Sequence, residues 1–95
     1  MIFGKKVDLK PYKDYLIIFI RTVDYTVVTD SESCFTVSFI KDGRNISISI
    51  NNLNKGYITV DVIDNYAIIR IPRQKFSKME TYREFCINSL NFIHS

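Results

Sequence analysis

The chain is poor in the residues on which much small-protein chemistry depends. Its 95 residues include one histidine, two cysteines, three glycines, two prolines and no tryptophan. One histidine and two distant cysteines do not supply the ligand cluster of a zinc site, and no glycine-rich loop is present to cradle a phosphate. A small secreted scaffold carries more cysteines, so we expect Cys34 and Cys86 to be reduced thiols. The sequence predicts no metal and no cofactor.

Long apolar runs are also missing. The run Leu16–Ile20 has five residues, whereas a membrane-spanning helix needs about 20 and the core of a secretory signal about 7–15. Hydrophobic residues make up 46% of the chain and charged residues 24%, which is typical of a folded domain. We therefore expect one domain, residues 1–95, in the cytoplasm and without a membrane partner.

The middle of the chain alternates apolar and polar residues. In residues 35–39, 46–50 and 58–62 every second residue is Phe, Ile or Val, and those between are Thr, Ser or Asp. Because successive side chains of a strand point to opposite faces, each segment has one apolar and one polar face. This pattern is typical of an antiparallel sheet with one face buried and the other in water.

Turn-forming residues separate these segments. Asp42-Gly43 suits a tight hairpin, and Asp64-Asn65 leads into a last strand predicted over Tyr66–Ile71. Pro72 ends that strand because proline has no N–H to donate. With a first strand that begins at Tyr25, the sequence predicts a five-stranded antiparallel meander.

The C-terminal segment changes to a helical period. Its apolar residues recur at spacings of three and four: Met79, Tyr82, Cys86, Leu90 and Ile93. We predict a helix from Lys78 to Ile93 with a capping box formed by Ser77 and Glu80. We expect Phe85 and Phe92, which flank the stripe, to pack against another element.

The segment from Leu9 to Val23 allows two interpretations. Its apolar spacing and Pro11 favour a helix, but the run Leu16–Ile20, which is rich in β-branched residues, also suits a buried strand. We favour the helix, because one helix covers too little of a five-stranded apolar face. The predicted fold is α+β, with an N-terminal and a C-terminal helix on one face of the meander. An extra N-terminal strand is the alternative.

The polar face of the predicted sheet is the first candidate binding surface. Its residues mix hydroxyl, charged and apolar side chains: Thr36, Ser38, Ser47, Ser49, Thr59, Asp61, Ile68 and Arg70. A broad face of this kind predicts contact with another protein, with about 800 Å² buried on each partner. The first or last strand of the sheet offers a further route, the addition of a partner strand.

Charge is unevenly distributed along the chain. Residues 25–69 carry three basic and five acidic side chains, although the net charge of the whole chain is +3. Five basic residues cluster near the last predicted strand and helix: Arg70, Arg73, Lys75, Lys78 and Arg83. A helix N-terminus attracts anions, and Tyr57 or Tyr66 can stack on bases. The cluster predicts, as an alternative function, nucleic-acid binding.

Candidates for catalysis are isolated. His94 lies next to the chain end, where residues fray, and Cys86 belongs to the apolar stripe of the predicted helix. Asp61 is a single carboxylate in mid-strand, without a second one to share acid–base work. We therefore expect a protein that is not an enzyme.

In size and layout the chain resembles small bacterial immunity proteins, which neutralise a cognate toxin. The resemblance implies a binding module that blocks its partner sterically, as antitoxins and phage inhibitors also do. Immunity proteins that mimic nucleic acid are acidic, whereas this chain is basic. The partner would therefore meet a polar or apolar patch, or present an acidic surface. A homodimer, formed edge to edge or through Phe85 and Phe92, is a third possibility.

Overall fold

The structure is a computed structural model that describes residues 5–95. Its elements, in chain order, are α1 (Lys10–Ile20), β1 (Tyr25–Asp30), β2 (Cys34–Lys41), β3 (Arg44–Asn51), β4 (Ile58–Asp64), β5 (Gln74–Phe76), α2 (Met79–Ser89) and a 3₁₀ helix (Asn91–His94). The five strands form one antiparallel sheet in the order β1-β2-β3-β4-β5. The predicted α+β meander is confirmed, and the alternative of an extra N-terminal strand is wrong because that segment forms α1.

The alternation of the strands produces the buried face. The register places Phe35 beside Ile50 and Ile50 beside Val60, and it pairs Ile48 with Val62. Phe35, Ile48 and Val60 are each at most 1% exposed. Burial of a large aliphatic or aromatic side chain contributes about 1.5–3 kcal/mol. This single apolar layer is therefore the main source of the stability of the sheet.

Both helices cover that same layer. Residues of α1 and α2 belong to one buried cluster with the apolar residues of the strands. Tyr82 of α2 joins the two helices, because its ring meets the Tyr12 ring edge-on at 4.9 Å and its hydroxyl donates to the Tyr12 carbonyl oxygen at 3.0 Å. The ring also contacts Phe76 of β5 at 5.7 Å. A buried tyrosine thus keeps its hydroxyl hydrogen-bonded while its ring fills the core.

The prediction for the last strand was wrong. Tyr66–Ile71 forms an irregular connection, and the fifth strand is Gln74–Phe76, with Phe76 beside Ile58 of β4. The Asp64 carboxylate accepts hydrogen bonds from the backbone N–H groups of Tyr66 and Ile69, each at 2.9 Å. Ala67 has a φ of +56°, so the backbone turns away from the ladder. These bonds outweigh the β-propensity of the isoleucines.

The helix ends differ from the predicted ones. Extended Lys78 precedes α2, and no side chain caps that end, so the predicted capping box of Ser77 and Glu80 was wrong. The α-helix ends at Ser89, and the last turn towards Ile93 is a 3₁₀ helix. Phe85 is buried against Phe76 at 5.3 Å, as expected for a packing residue.

Cys34 and Cys86 are both free thiols. Within residues 5–95, neither helix has the length and apolar character needed to cross a membrane.

Truncation of the central strand tests the buried layer. We expect Ile48→Ala to lower the free energy of unfolding by about 2–5 kcal/mol, because the cavity is enclosed on all sides. Ile63→Ala is the control on the neighbouring strand, where the side chain is 61% exposed, and we expect a change within about 0.5 kcal/mol. Urea unfolding measures both, and equal losses would contradict the assignment of the two faces.

Candidate protein-binding surface

The face of the sheet opposite the helices is left to solvent over the described part of the chain. We call it the open face. The register places Thr36 beside Ser49 and Ser49 beside Asp61, and it places Ser38 beside Ser47. Six predicted surface residues therefore share this face: Thr36, Ser38, Ser47, Ser49, Thr59 and Asp61. Five of them are half-buried, and Thr59 is buried at 4% exposure, so its prediction as a surface residue was wrong.

Hydroxyl groups of the open face bond to one another. The hydroxyl oxygens of Thr36 and Ser49 lie 2.9 Å apart, and the Cys34 sulfur lies 3.7 Å from each of them. Ser38 donates to the Asn45 side-chain oxygen at 2.8 Å. Short side chains that hydrogen-bond to one another give a polar surface, and their hydroxyl oxygens can accept further hydrogen bonds. Such a surface can lie against another protein without a large desolvation penalty.

Two exposed isoleucines border these hydroxyls. Ile40 on β2 pairs with Asn45, and Ile63 on β4 pairs with Ser47, so both lie on the open face. Ile40 is 70% exposed and Ile63 is 61% exposed. Neither was among the residues predicted for this surface. Extending the alternation one step beyond Ser38 and Asp61 would have found both.

Two predicted residues do not lie on the sheet. Ile68 and Arg70 belong to the connection between β4 and β5, so their placement in a strand of the polar face was wrong. Ile68 is exposed, and the Arg70 Nε donates to the carbonyl oxygen of Ala67 at 2.9 Å. The arginine folds back on its own loop.

The basic cluster is already partly engaged. Arg73 Nε donates to the Asp61 carboxylate at 2.8 Å, and this hydrogen-bonded ion pair raises the pKa of Arg73. Lys75 lies opposite Thr59 on the sheet, with its ammonium 5.2 Å from the centre of the Tyr57 ring. The remaining two cations, Lys78 and Arg83, are exposed at the start of α2 and along it.

The groups considered for catalysis take part in packing. Cys86 is fully buried, and burial raises the pKa of its thiol to about 12, although a hydrogen bond with Tyr82 acts in the opposite direction. The His94 Nδ1 lies 3.1 Å from the Thr22 hydroxyl, and its ring contacts Phe19 at 4.6 Å. Within residues 5–95, no three His, Cys, Asp or Glu residues are grouped as metal ligands.

Asp64 is a buried carboxylate with a structural role. It lies on the apolar side of β4 opposite Ile46, and its side chain is fully buried. Burial opposes ionisation, but the N–H groups of Ile69 and Tyr66 and the Arg44 guanidinium, 3.5 Å away, outweigh it. The pKa of Asp64 is therefore lowered, and the carboxylate fixes the loop after β4.

Comparison with family models, with curated proteins and with solved structures finds no match to this chain. The interpretation of the open face therefore depends on the geometry and the chemistry of this chain alone.

A pH series tests the role of Asp64. Its folded pKa lies below the ordinary value of 3.8, so its contribution to stability is present above that pH and is lost as the pH falls through the folded pKa. We expect Asp64→Asn to lower the free energy of unfolding near neutral pH. The difference from wild type should shrink as the pH falls below 3.8.

The matched control is Asp42→Asn, since the exposed Asp42 carboxylate lies 3.8 Å from the same Arg44. We expect it to change the free energy of unfolding by no more than about 0.5 kcal/mol. An Asp64→Asn deficit that stays constant through the acid range would contradict the account.

Proposed function

We propose that this protein is a non-enzymatic protein-binding module that blocks a partner by steric occlusion, as an immunity protein, an antitoxin or a phage-type inhibitor does. The observation that carries the proposal is the open face. Both helices pack on the apolar side of the sheet, and the other side keeps hydroxyls bordered by two exposed isoleucines.

The size of the open face supports this function. Four strands spaced about 4.8 Å apart, each about seven residues long at 3.3 Å per residue, give a platform of roughly 440 Å². Its accessible area is larger than its projection, because side chains stand out from the plane. A specific interface takes roughly 800 Å² from each partner. The open face supplies about half of that area as a projection, and the side chains that stand out from it and from its rim add to it.

The chemistry of the open face also supports a protein partner. Ile40 and Ile63 supply apolar area, and burying one such side chain fully contributes about 1.5–3 kcal/mol. The hydroxyls of Ser38 and Ser47 lie beside them and can bond to a partner at the polar edge of the contact. A few well-packed apolar anchors carry most of the energy in protein interfaces.

The state of the reactive groups favours binding over catalysis. The Cys86 thiol is buried with a raised pKa, the Asp61 carboxylate is paired with Arg73, and the Asp64 carboxylate holds a loop. Each of these groups already has a role in the fold. We therefore propose that the open face is the binding surface and that it has no catalytic role.

Nucleic-acid binding is the second candidate, favoured by one observation. Lys75 and Tyr57 lie together beside the open face, with the ammonium over the ring. A cation next to an aromatic ring suits a single-stranded nucleic acid, because the backbone meets charge while a base stacks. Arg70, Lys78 and Arg83 would supply further phosphate contacts.

Affinity capture with matched variants tests the proposal. The immobilised protein should retain one partner protein, a cognate toxin in the case of an immunity protein, from an extract of the cells that express it. We expect Ile40→Lys to weaken that binding at least ~10-fold, since an interface anchor is worth about 1.4 kcal/mol or more. The control is Ile87→Lys on α2, where Ile87 is 55% exposed; it should bind as wild type does.

Nuclease treatment of the extract separates the two candidates. Retention that survives nuclease and depends on Ile40 supports a protein partner. Retention that nuclease abolishes, and that falls steeply with salt because counterions are released, supports the alternative. Recovery of this chain alone would favour the homodimer, and equal binding by the Ile40 and Ile87 variants would refute the open face as the surface.

A further inference from the structure

The first strand is an exposed edge of the sheet. Within residues 5–95, β1 pairs with β2 only, so the N–H and C=O groups on its outer side have no strand neighbour. The opposite edge, β5, is three residues long. An edge strand of six residues is a template for another strand.

The residues of β1 favour pairing with a further strand. Its centre has four β-branched residues in succession, Thr26 to Thr29, and the strand contains no lysine, proline or glycine. Natural edges are commonly protected by lysine or proline. Val27 is 46% exposed and Val28 is 61% exposed, so apolar area is available as well as backbone groups.

A β-bulge is the one protective feature of this edge. The register with β2 shifts between Val27 and Thr29, which leaves Val28 as the extra residue. A bulge bends the strand and interrupts the ladder. It therefore allows a short segment to pair with β1 and disfavours the long edge-to-edge stacking that leads to aggregation.

Acidic residues flank β1 at both ends. Asp24 precedes the strand, Asp30 ends it and Glu32 follows. Asp30 accepts a hydrogen bond from the Lys13 ammonium at 2.7 Å, whereas neither Asp24 nor Glu32 forms an ion pair within residues 5–95. Three lysines, Lys13 among them, line the surface beside Asp30 and Glu32, so the acidic charge of this edge that no lysine balances lies at its Asp24 end.

A shallow concavity lies at the first end of the strand. It has a volume of about 680 Å³ and is lined in part by Asp24, Thr26, Ile40 and Asp42. Lys41 also lines it, but its ammonium is bonded to the carbonyl oxygen of Ser95. Two carboxylates with aliphatic and hydroxyl neighbours suit the stem and the charge of a lysine or arginine side chain.

We propose that β1 takes up an extended basic segment of the partner protein as a sixth strand, with a lysine or arginine side chain in the concavity beside Asp24. The inference rests on the proposed function and states how the partner is held. Main-chain hydrogen bonds along β1 supply affinity, and Val27 and Val28 contact alternate side chains of the added strand. The acidic charge at the Asp24 end selects a basic side chain in the bound segment.

A second copy of this chain fits the edge less well. Antiparallel pairing of two β1 strands about their centres brings Asp24 of one copy towards Asp30 and Glu32 of the other, at both ends. Like charges placed across a strand pair destabilise it. Charge complementarity therefore points to a partner with basic residues rather than to a homodimer.

A peptide titration of the full chain tests the inference. The probe is a short synthetic peptide of alternating threonine and valine with lysine at both ends, and the matched probe has glutamate there. We expect the basic peptide to shift the amide resonances of residues 24–30 and to slow their hydrogen exchange. The glutamate peptide should bind at least ~10-fold more weakly.

Three lysine substitutions at aliphatic residues of similar exposure locate the contact. Val28→Lys on the edge should weaken binding of the basic peptide at least ~10-fold, through repulsion and lost apolar contact. Ile63→Lys on the open face and Ile87→Lys on α2 should change it by no more than about twofold. Thermal unfolding of each variant confirms that the fold is retained.

The inference is overturned if the shifted amide resonances lie outside β1, if the two peptides bind equally, or if about 1 mM peptide produces no shift. It is also overturned if the β1 resonances shift with protein concentration in the absence of peptide, because that dependence indicates self-association. If the captured partner depends on Ile40 while Val28→Lys binds it as wild type does, the inference fails and the proposed function stands. If no partner is captured while the basic peptide binds β1, the proposed function fails and the edge site remains.

Discussion

The fold depends on the burial of alternate side chains along the central strand. Ile46, Ile48 and Ile50 of β3 are fully buried, and each has an apolar neighbour or the Asp64 carboxylate across the ladder. Since side chains alternate strictly, a slip of one residue would exchange the buried and exposed faces. Fixing the apolar side of β3 therefore fixes the open face at the same time.

The helices complete one side of this arrangement and leave the other unused. Tyr82 ties α2 to α1 by a buried hydrogen bond to the Tyr12 backbone, and both helices are then committed to the apolar layer. No described element remains to cover the hydroxyl face or the outer edge of β1. The proposed binding surfaces, the open face and the outer edge of β1, are thus a consequence of the fold, because the two helices pack on the other face of the sheet.

Much of this organisation could be predicted from local pattern. The period of two in residues 35–39 and 46–50 identified the two faces, and the helical spacing that includes Tyr82 and Cys86 identified α2. The same alternation would have placed Ile40 and Ile63 on the open face had it been followed to the strand ends. These features are visible because burial on one face repeats along the chain.

The remaining features depend on contacts that local pattern does not contain. The apolar run Tyr66–Ile71 has strand-like composition, but the buried Asp64 carboxylate captures two of its N–H groups and Ala67 takes a positive φ. Arg44, which stabilises that carboxylate, lies on another strand. The exposure of β1 likewise depends on strand order and on the bulge at Val28, neither of which alternation specifies.

The most direct measurement is the labelling of introduced cysteines with a thiol reagent. One cysteine at a time replaces a residue at positions 46 to 50 of β3. All variants carry Cys34→Ser, and the buried Cys86 serves as the unreactive standard. Cysteines replacing Ser47 and Ser49 should label rapidly in the native protein. Those replacing Ile46, Ile48 and Ile50 should label only on unfolding, because the helices cover them. Labelling without this alternation would contradict the division of the sheet into one covered and one open face.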